Sequence, residues 1–375
     1  SYTACLLLSR INGEFKECRR VLQDRLKAYC DQSLYASMAA NWFGLATADT
    51  DLDDQRKLIE AVHDLLKKQS QVKNRREKKR RLVEMLSDSR RGLMSPFMTT
   101  NPRLPTEPSI RVNGVIPDRT TVYKSTAMPV KIAFMGVDDC REHAVIIKLG
   151  EDLHGDLMVM QMIRLFDIIW QANGLELNPK TYSVYPIKNG GWLEFVPSVS
   201  LSAILREHGT LLKYLNTPKS KQNFVNSCAA YCTITFVLGV GDRHLENLLL
   251  TQDGCLFHVD YTYRFGADPK PFPPPMKLCR EMVEAMIGDF EAFRVLTLKA
   301  YQMLRLNSGY ILDFLSLHTD CVGSDNLCFV KERLAVGKSD QEALQWMNNL
   351  IDESVNAMFP QVMETIHKWA QYWKN

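Results

Sequence analysis

The residues best suited to chemistry lie in Gly241-Asp242-Arg243-His244-Leu245-Glu246-Asn247, directly before an apolar run. A second carboxylate, Asp260, closes the next run. The two runs, Asn247–Thr251 and Cys255–Asp260, flank Asp253-Gly254, a dipeptide that favours a tight hairpin. Such a hairpin brings Asn247 and Asp260 to one end. An Asp and an Asn five positions apart, with a further Asp after a hairpin, is a layout that serves phosphoryl transfer from a nucleoside triphosphate. The transferred group carries negative charge, and the Mg²⁺ or Mn²⁺ that neutralises it needs hard oxygen ligands. Asn247 and Asp260 are the expected metal ligands. Asp242 and His244 are expected where an attacking hydroxyl loses its proton, with Arg243 between them counted in the catalytic set. Protein kinases carry His-Arg-Asp at this point, whereas this chain carries Asp-Arg-His.

Other groups suit the nucleotide. Lys148 ends the run Ala144-Val145-Ile146-Ile147-Lys148, as a phosphate-contacting lysine does. Asp152 and Asp156 follow on an expected helix, where a carboxylate could orient that lysine. No glycine-rich loop precedes Lys148. Instead Tyr123–Pro129, with Ser125, offers small side chains and hydroxyls to cover phosphates. Leu193–Pro197, containing Glu194, Phe195 and Val196, is the expected hinge against which an adenine stacks. Taken singly these signals are weak. An Asp-Arg-His is more often a buried ion pair, a strand-end lysine more often snorkels, and Asp152 reads first as a helix N-cap. Their order and spacing together carry the reading.

The elements that must hold these groups follow from periodicity and breakers. Residues 1–95 read as helices, with Val21–Cys30 and Leu52–Lys68 apolar at three-to-four spacing, as at Leu58, Val62, Leu65 and Leu66. The run 73–81 holds seven basic residues and only Glu77 as an acid. A solvated helix face is the plain reading of it, and a membrane or nucleic-acid patch the sharper one. Prolines 96, 102, 105, 108 and 117 mark residues 96–120 as a linker. Strand-like runs then cover Thr121–Thr126, Val130–Phe134 and His143–Lys148. A helix is expected from Asp152 to Gln171. Strands at Tyr182–Ile187 and Trp192–Val196 are separated by an Asn189-Gly190-Gly191 turn. Helices dominate after Leu201, interrupted by the hairpin and by the proline-rich loop Ala267–Pro275. A helical pattern over Gln341–Lys374 is broken at Pro360.

The chain has 375 residues, enough for two or three domains, with 46% hydrophobic and 24% charged residues, which excludes a fibrous or wholly disordered class. Forty-six Lys and Arg against forty-three Asp and Glu leave a net charge of +3, too balanced to argue for nucleic acid, and no nucleic-acid partner is expected. Ten scattered cysteines without a CxxC pair suggest buried thiols in a reducing compartment. No basic segment precedes the apolar Ala4–Leu8, so no signal peptide is expected, and Ser1 in place of Met suggests a fragment.

The motifs together resemble the phosphatidylinositol 3-kinases and, within them, the class III vacuolar-sorting lipid kinases. The resemblance runs from about Arg111 to the C-terminus. It rests on Arg119–Ser125 with Met128-Pro129, on Leu238–Leu250, on Asp268-Pro269-Lys270-Pro271-Phe272-Pro273-Pro274-Pro275-Met276-Lys277-Leu278, and on Leu350–Ser354 with Ile366–Trp373. It implies an α+β, two-lobed protein-kinase-like fold. Residues 1–95 would be the end of a helical solenoid, 121–197 a small β-rich lobe with its hinge, and 198–375 a mostly helical lobe. It implies ATP bound by Lys148, an acidic helix residue at Asp156, catalysis by Asp242 and His244, and metal on Asn247 and Asp260. It further implies a cytoplasmic enzyme peripheral to endosomal or autophagic membranes, with a protein-kinase-like regulatory subunit and coiled-coil adaptors.

Residues 261–285 would be the loop that selects the lipid. Four basic against three acidic side chains there leave a sparse charge, which favours plain phosphatidylinositol over multiply phosphorylated inositides. Ile366, Trp369 and Trp373 share a helix face beside Tyr372, and suit a bilayer interface as well as packing on the kinase core. Two departures stand out. Asp260-Tyr261-Thr262 replaces Asp-Phe-Gly, and Leu153-His154-Gly155-Asp156 replaces Leu-Arg-Gln-Asp. They leave an atypical protein kinase, or a scaffold with little catalysis, as alternatives to a lipid kinase.

Overall fold

A computed structural model describes residues 49–88, 100–125, 127–270, 276–318 and 322–358. The expected helix Val21–Cys30, the C-terminal aromatic helix and the proline cluster 271–275 lie outside the described residues. The fold is α+β, and the described residues fall into two compact units. One comprises 49–153 with Tyr182–Phe195, the other His154–Thr181 with 196–358.

The first unit opens with helices α1 (Asp49–Lys68) and α2 (Arg75–Ser87). The side chain of Asn74 caps α2 by accepting the Glu77 N–H at 3.1 Å. Strands β1 (Arg103–Leu104), β2 (Glu107–Val115), β3 (Thr121–Val122), β4 (Val130–Gly136), β5 (Glu142–Leu149), β6 (Val184–Ile187) and β7 (Gly190–Glu194) form one antiparallel sheet. Its order is β1-β2-β4-β5-β7-β6, with β3 paired to β4. Side chains alternate across a sheet, and the register aligns Lys131 with Ile146, Ile146 with Leu193 and Lys148 with Gly191. Val130, Ile132, Phe134, Val145, Ile147 and Trp192 therefore share the face that joins Leu58, Val62, Leu65, Leu66, Leu82 and Leu86 of the helices in one core. Lys131, Ile146, Lys148 and Leu193 point the other way. Phe134 stacks on Trp192 at 5.9 Å, and the Trp192 indole N–H donates to His63 Nε2 at 3.3 Å.

Three expectations change here. Residues 96–120 are not simply a linker: β1 and β2 lie within them and extend the sheet through pairing with β4. Pro102, Pro105 and Pro117 fall outside the strands, and Pro108 near the start of β2 has no partner in either register, so a missing N–H costs no ladder bond there. The strand begun at Thr121 stops at Val122. The glycine turn also shifts, because Ile187 pairs with Gly190, so Lys188-Asn189 make the turn and Asn189 takes the left-handed φ of 61°.

The second unit contains α3 (His154–Ala172), β8 (Ser198–Ser200), α4 (Leu201–His208), α5 (Leu211–Tyr214), α6 (Pro218–Val237), β9 (Leu248–Thr251), β10 (Leu256–His258), α7 (Arg280–Ala285), α8 (Phe290–Leu306), α9 (Ser308–Ser316), α10 (Ser324–Arg333) and α11 (Asp340–Met358). Helix α3 was expected in the β-rich lobe but packs in this unit. Its Met158, Val159, Met162, Ile163 and Phe166 are buried, and the Trp170 indole N–H donates to the Ala300 carbonyl at 3.0 Å. Asp152 lies before the helix rather than on it. Helix α6 starts with Pro218 behind a Thr217–Ser220 capping box. Cys228 and Cys232 are buried on α6 as free thiols, and burial pushes both pKa values up, so they are inert packing groups. Strands β8, β9 and β10 form the hairpin sheet in the order β10-β9-β8. Gly254 at its tip has φ +90°, and a Cβ there would lie 2.2 Å from the Ser220 carbonyl, so only glycine lets the hairpin sit against the start of α6.

Candidate active site

The segment that carries the candidate catalytic residues lies between α6 and β9 and is held mainly by backbone bonds. Gly241 N–H donates to Tyr263 O at 2.9 Å, Phe265 N–H to Leu238 O at 2.8 Å and Gly266 N–H to Gly239 O at 2.9 Å. These tie the segment to the chain that follows Asp260. A Cβ on Gly241 would meet the Ala267 carbonyl at 2.2 Å, which explains why a glycine stands beside Asp242. Asp242 itself takes a left-handed φ of 49°, and Asp260 one of 64°. Conformations of this kind persist only where neighbours over-determine them.

Arg243 provides much of that determination. Its Nε donates to Gly241 O at 2.7 Å, its Nη1 to Val259 O at 2.8 Å and its Nη2 to Asp260 O, while its guanidinium lies 5.6 Å from the Tyr261 ring centre. A residue expected in the catalytic set thus acts as a clamp between the loop and the Asp260 strand end. The Val259 N–H donates to Asn247 O at 3.1 Å and completes the junction. Asp242 Oδ2 and His244 Nε2 stand 4.0 Å apart and are partly open to solvent, a spacing that a substrate hydroxyl or a water can bridge. Asn247 is buried and spends its Nδ2 on Asp242 O at 3.1 Å, which turns its amide oxygen to the acceptor role. Asp260 Oδ1 accepts the Thr262 hydroxyl at 2.8 Å, so the residue that replaces the expected glycine anchors the carboxylate.

Among the described residues no three His, Cys, Asp or Glu side chains converge as a metal site. One amide oxygen and one carboxylate, joined through the Val259–Asn247 bond, are hard donors. They fit a Mg²⁺ or Mn²⁺ ion whose remaining ligands are phosphate oxygens and water.

Two residues outside the expected set shape this site. Asp268 Oδ2 accepts the Asp242 N–H at 3.1 Å and pairs with Lys277 Nζ at 3.1 Å, and Oδ1 accepts the Lys270 N–H at 3.0 Å. Burial opposes the Asp268 charge, but these donors outweigh it and hold the carboxyl below its ordinary range. In the sequence Asp268 was only one charge in a loop, since nothing in its spacing links it to Asp242. The second is Arg264, whose guanidinium donates to Tyr261 O at 3.1 Å and lies where a Cβ on Gly155 would come within 2.5 Å. Gly155, read as a departure, makes room for that arginine.

Asp156 is buried on α3 and accepts the Tyr261 N–H at 3.5 Å, so it supports the chain just after Asp260. In the first unit Lys148 Nζ pairs with Glu151 at 2.9 Å. Ser125 accepts the Met128 N–H at 3.1 Å and shapes an exposed turn. The Glu194 side chain accepts the Ser183 N–H at 2.9 Å, on the sheet face opposite Lys148, while Phe195 lies 4.5 Å beneath the Lys131 ammonium. In the second unit Val196 borders a groove of about 500 Å³ with Lys180, Pro197, Thr251, Gln252 and Asp253. That groove lies at the tip end of the hairpin, away from Asn247 and Asp260, so Val196 does not gather with the catalytic residues.

His258, two positions before Asp260, is buried and stacked on Tyr231 at 4.8 Å, with neither ring nitrogen hydrogen-bonded. Burial, then the Arg243 charge, holds its pKa well below the ordinary 6.5. His63 is lowered too, first by burial and then by Lys67. Both are neutral when folded, so the unfolded chain binds more protons as the pH drops below 6.5. The stability they contribute is present above that pH and is lost as the pH falls toward the folded values. The melting temperature is expected to fall between pH 7 and pH 5. His258→Phe keeps the stack and should flatten that dependence without lowering stability at pH 7. An unchanged slope in the variant would remove His258 from the account.

In the second unit, an Asp-Arg-His loop beside an Asn–Asp oxygen pair at a hairpin end is an arrangement suited to phosphoryl transfer. A family profile for phosphatidylinositol 3- and 4-kinase matches residues 142–219 and 212–329. The chain belongs to the phosphatidylinositol 3- and 4-kinase family. It is 37% identical over 330 residues to phosphatidylinositol 3-kinase VPS34 of Arabidopsis thaliana, covering 81% of this chain and 40% of that protein. It is 35% identical over 352 residues to phosphatidylinositol 3-kinase pik3 of Schizosaccharomyces pombe, covering 86% and 44%. With phosphatidylinositol 3-kinase VPS34 of Saccharomyces cerevisiae it shares 34% over 376 residues, covering 93% and 42%. The chain thus spans about two fifths of the length of these relatives.

Proposed function

We propose that this chain is the catalytic portion of a lipid kinase that transfers the ATP γ-phosphate to the 3-hydroxyl of phosphatidylinositol. The observation that carries the reading is the Arg243 clamp. It holds Asp242 and His244 beside one strand end and Asn247 and Asp260 at the junction, in a chain whose relatives are named phosphatidylinositol 3-kinases. His244, beside Asp242, takes the proton of the attacking hydroxyl. Lys148 binds ATP phosphates, and Glu151 keeps its ammonium oriented. A Mg²⁺ or Mn²⁺ ion on Asn247 and Asp260 would neutralise phosphate charge. Transfer is direct, because positioning and charge neutralisation suffice for phosphoryl transfer.

Phosphatidylinositol brings the site to a membrane. Among the described residues no helix is long and apolar enough to cross one, and this reading makes the enzyme peripheral, on endosomal or autophagic membranes facing the cytoplasm. A protein-kinase-like regulatory subunit and coiled-coil adaptors complete the proposed assembly. Radiolabelled ATP offered with phosphatidylinositol vesicles, phosphatidylinositol bisphosphate vesicles and a generic protein substrate tests the assignment. Labelling of the unphosphorylated lipid at the 3-position, in excess over the other two, is the expected result. Preference for the bisphosphate would overturn the lipid choice, label on protein alone would point to a protein kinase, and no transfer at all to a scaffold.

A further inference from the structure

The basic run has no part in the site described above, and with the end of α1 it forms a charged corner. Lys67 and Lys68 lie in the last turn of α1, Lys73 in the connection, and Arg75, Arg76 and Lys79 in the first turns of α2. All six are exposed, and none has a carboxylate partner among the described residues. Glu77, the sole acid between Lys67 and Lys79, is occupied by Arg80 at 2.7 Å and Arg81 at 2.6 Å. On α1, Asp54 and Glu60 are spent on Lys57 and Arg56, and Asp64 is an exposed acid one turn before Lys67 and Lys68.

The helix dipole favours cations at the C-terminal end of α1 but disfavours them at the N-terminal end of α2. Arg75 and Arg76 therefore stand where the fold by itself gives them no benefit, and an anion outside the protein would reverse that sign. We propose that this corner is an electrostatic docking surface for an anionic lipid bilayer. The exposed stretch has no aromatic side chain to stack on a base. Of its amides, Asn74 is consumed as the α2 cap and Gln69 is buried against Met85, which leaves Gln71 exposed. Leu82 and Leu86 face the core, so no apolar anchor is offered to a protein groove. Flexible, unpaired cations match a surface of mobile anionic head groups. The choice of a bilayer over another polyanion rests on the lipid-kinase reading.

The test uses the whole chain with vesicles of phosphatidylcholine, with or without phosphatidylserine, in the absence of ATP and phosphatidylinositol. Flotation should show binding at least about tenfold tighter to the phosphatidylserine vesicles, with loss as salt rises from about 0.1 M to 0.5 M. Replacing Lys73, Arg75, Arg76 and Lys79 by glutamine should weaken that binding by about a hundredfold. Lys219→Gln with Lys221→Gln, two exposed cations of α6, should leave it unchanged. Should the fourfold variant fail to fold, Arg75→Gln with Arg76→Gln, which the helix dipole favours, should still weaken binding by about tenfold. Wild-type binding by the variants, salt-insensitive binding, or tighter binding of a duplex oligonucleotide than of vesicles at equal charge would overturn the proposal. Turnover of a water-soluble short-chain phosphatidylinositol reports on the kinase reading separately. If neither protein shows turnover while the vesicle difference persists, the kinase reading falls and the docking surface stands.

Discussion

Asp260→Asn is expected to lower phosphate transfer by at least about a thousandfold while leaving the folded state intact, because a cation-binding charge in a phosphoryl-transfer site supplies several kcal/mol. The substitution is nearly isosteric. An asparagine oxygen can still accept the Thr262 hydroxyl that Asp260 Oδ1 accepts at 2.8 Å. The Arg243 bond to the residue 260 carbonyl is a backbone contact and also survives. Only the negative charge goes, and with it the hard anionic donor that Asn247 alone cannot replace. ADP release on lipid vesicles, measured beside a melting curve, checks this. A variant that melts like the wild type and keeps more than a tenth of its turnover would show that Asp260 is not a metal ligand.

Asp268→Ala should damage both stability and turnover, by two separable routes. Lys277 and Asp268 have only 10% and 6% of their side chains exposed, so removing the carboxylate strands a buried ammonium. Breaking a buried pair in this way costs about 3–5 kcal/mol. The same carboxylate also anchors the Asp242 N–H, whose residue holds a left-handed φ of 49°. Asp268→Ala with Lys277→Met removes the stranded charge. It should recover most of the melting temperature while turnover stays at least about tenfold down, because a misplaced catalytic group costs far more than its own contact. If the double variant regains full activity, Asp268 serves stability alone. Its depressed pKa fixes the pH range. The contribution is present above the ordinary carboxylate value of 3.8 and is lost as the pH falls through the lower folded value, so acidification to pH 5 should leave this clamp in place.

Thr262, His154 and Gly155 are the residues at which the sequence departs from its family's pattern, and two of them have a visible place in the structure. Thr262 binds the carboxylate it follows, and Gly155 leaves space for Arg264. Both contacts are invisible to local pattern. The first needs a side-chain rotamer, and the second needs a partner 109 positions away along the chain.

Much was legible without coordinates. Leu58, Val62, Leu65 and Leu66 lie on one face of α1 because a 3.6-residue period leaves no other way to bury them. Asp253-Gly254 marked the hairpin because few residues tolerate its tip conformation. The Asp242–Asn247 spacing and the position of Asp260 followed, since both hang on that hairpin. What only the tertiary structure decided is which long-range partner each group finds. Lys148 meets Glu151, Asp156 supports Tyr261, Arg243 binds three backbone carbonyls, and Asp268 anchors Asp242. Strands β1 and β2 join the sheet although prolines crowd their segment, because pairing with β4 satisfies the backbone groups that local sequence leaves open. Periodicity and turn chemistry are properties of neighbours in the chain. Buried charge has to be satisfied by whatever the fold brings beside it, and that is not written locally.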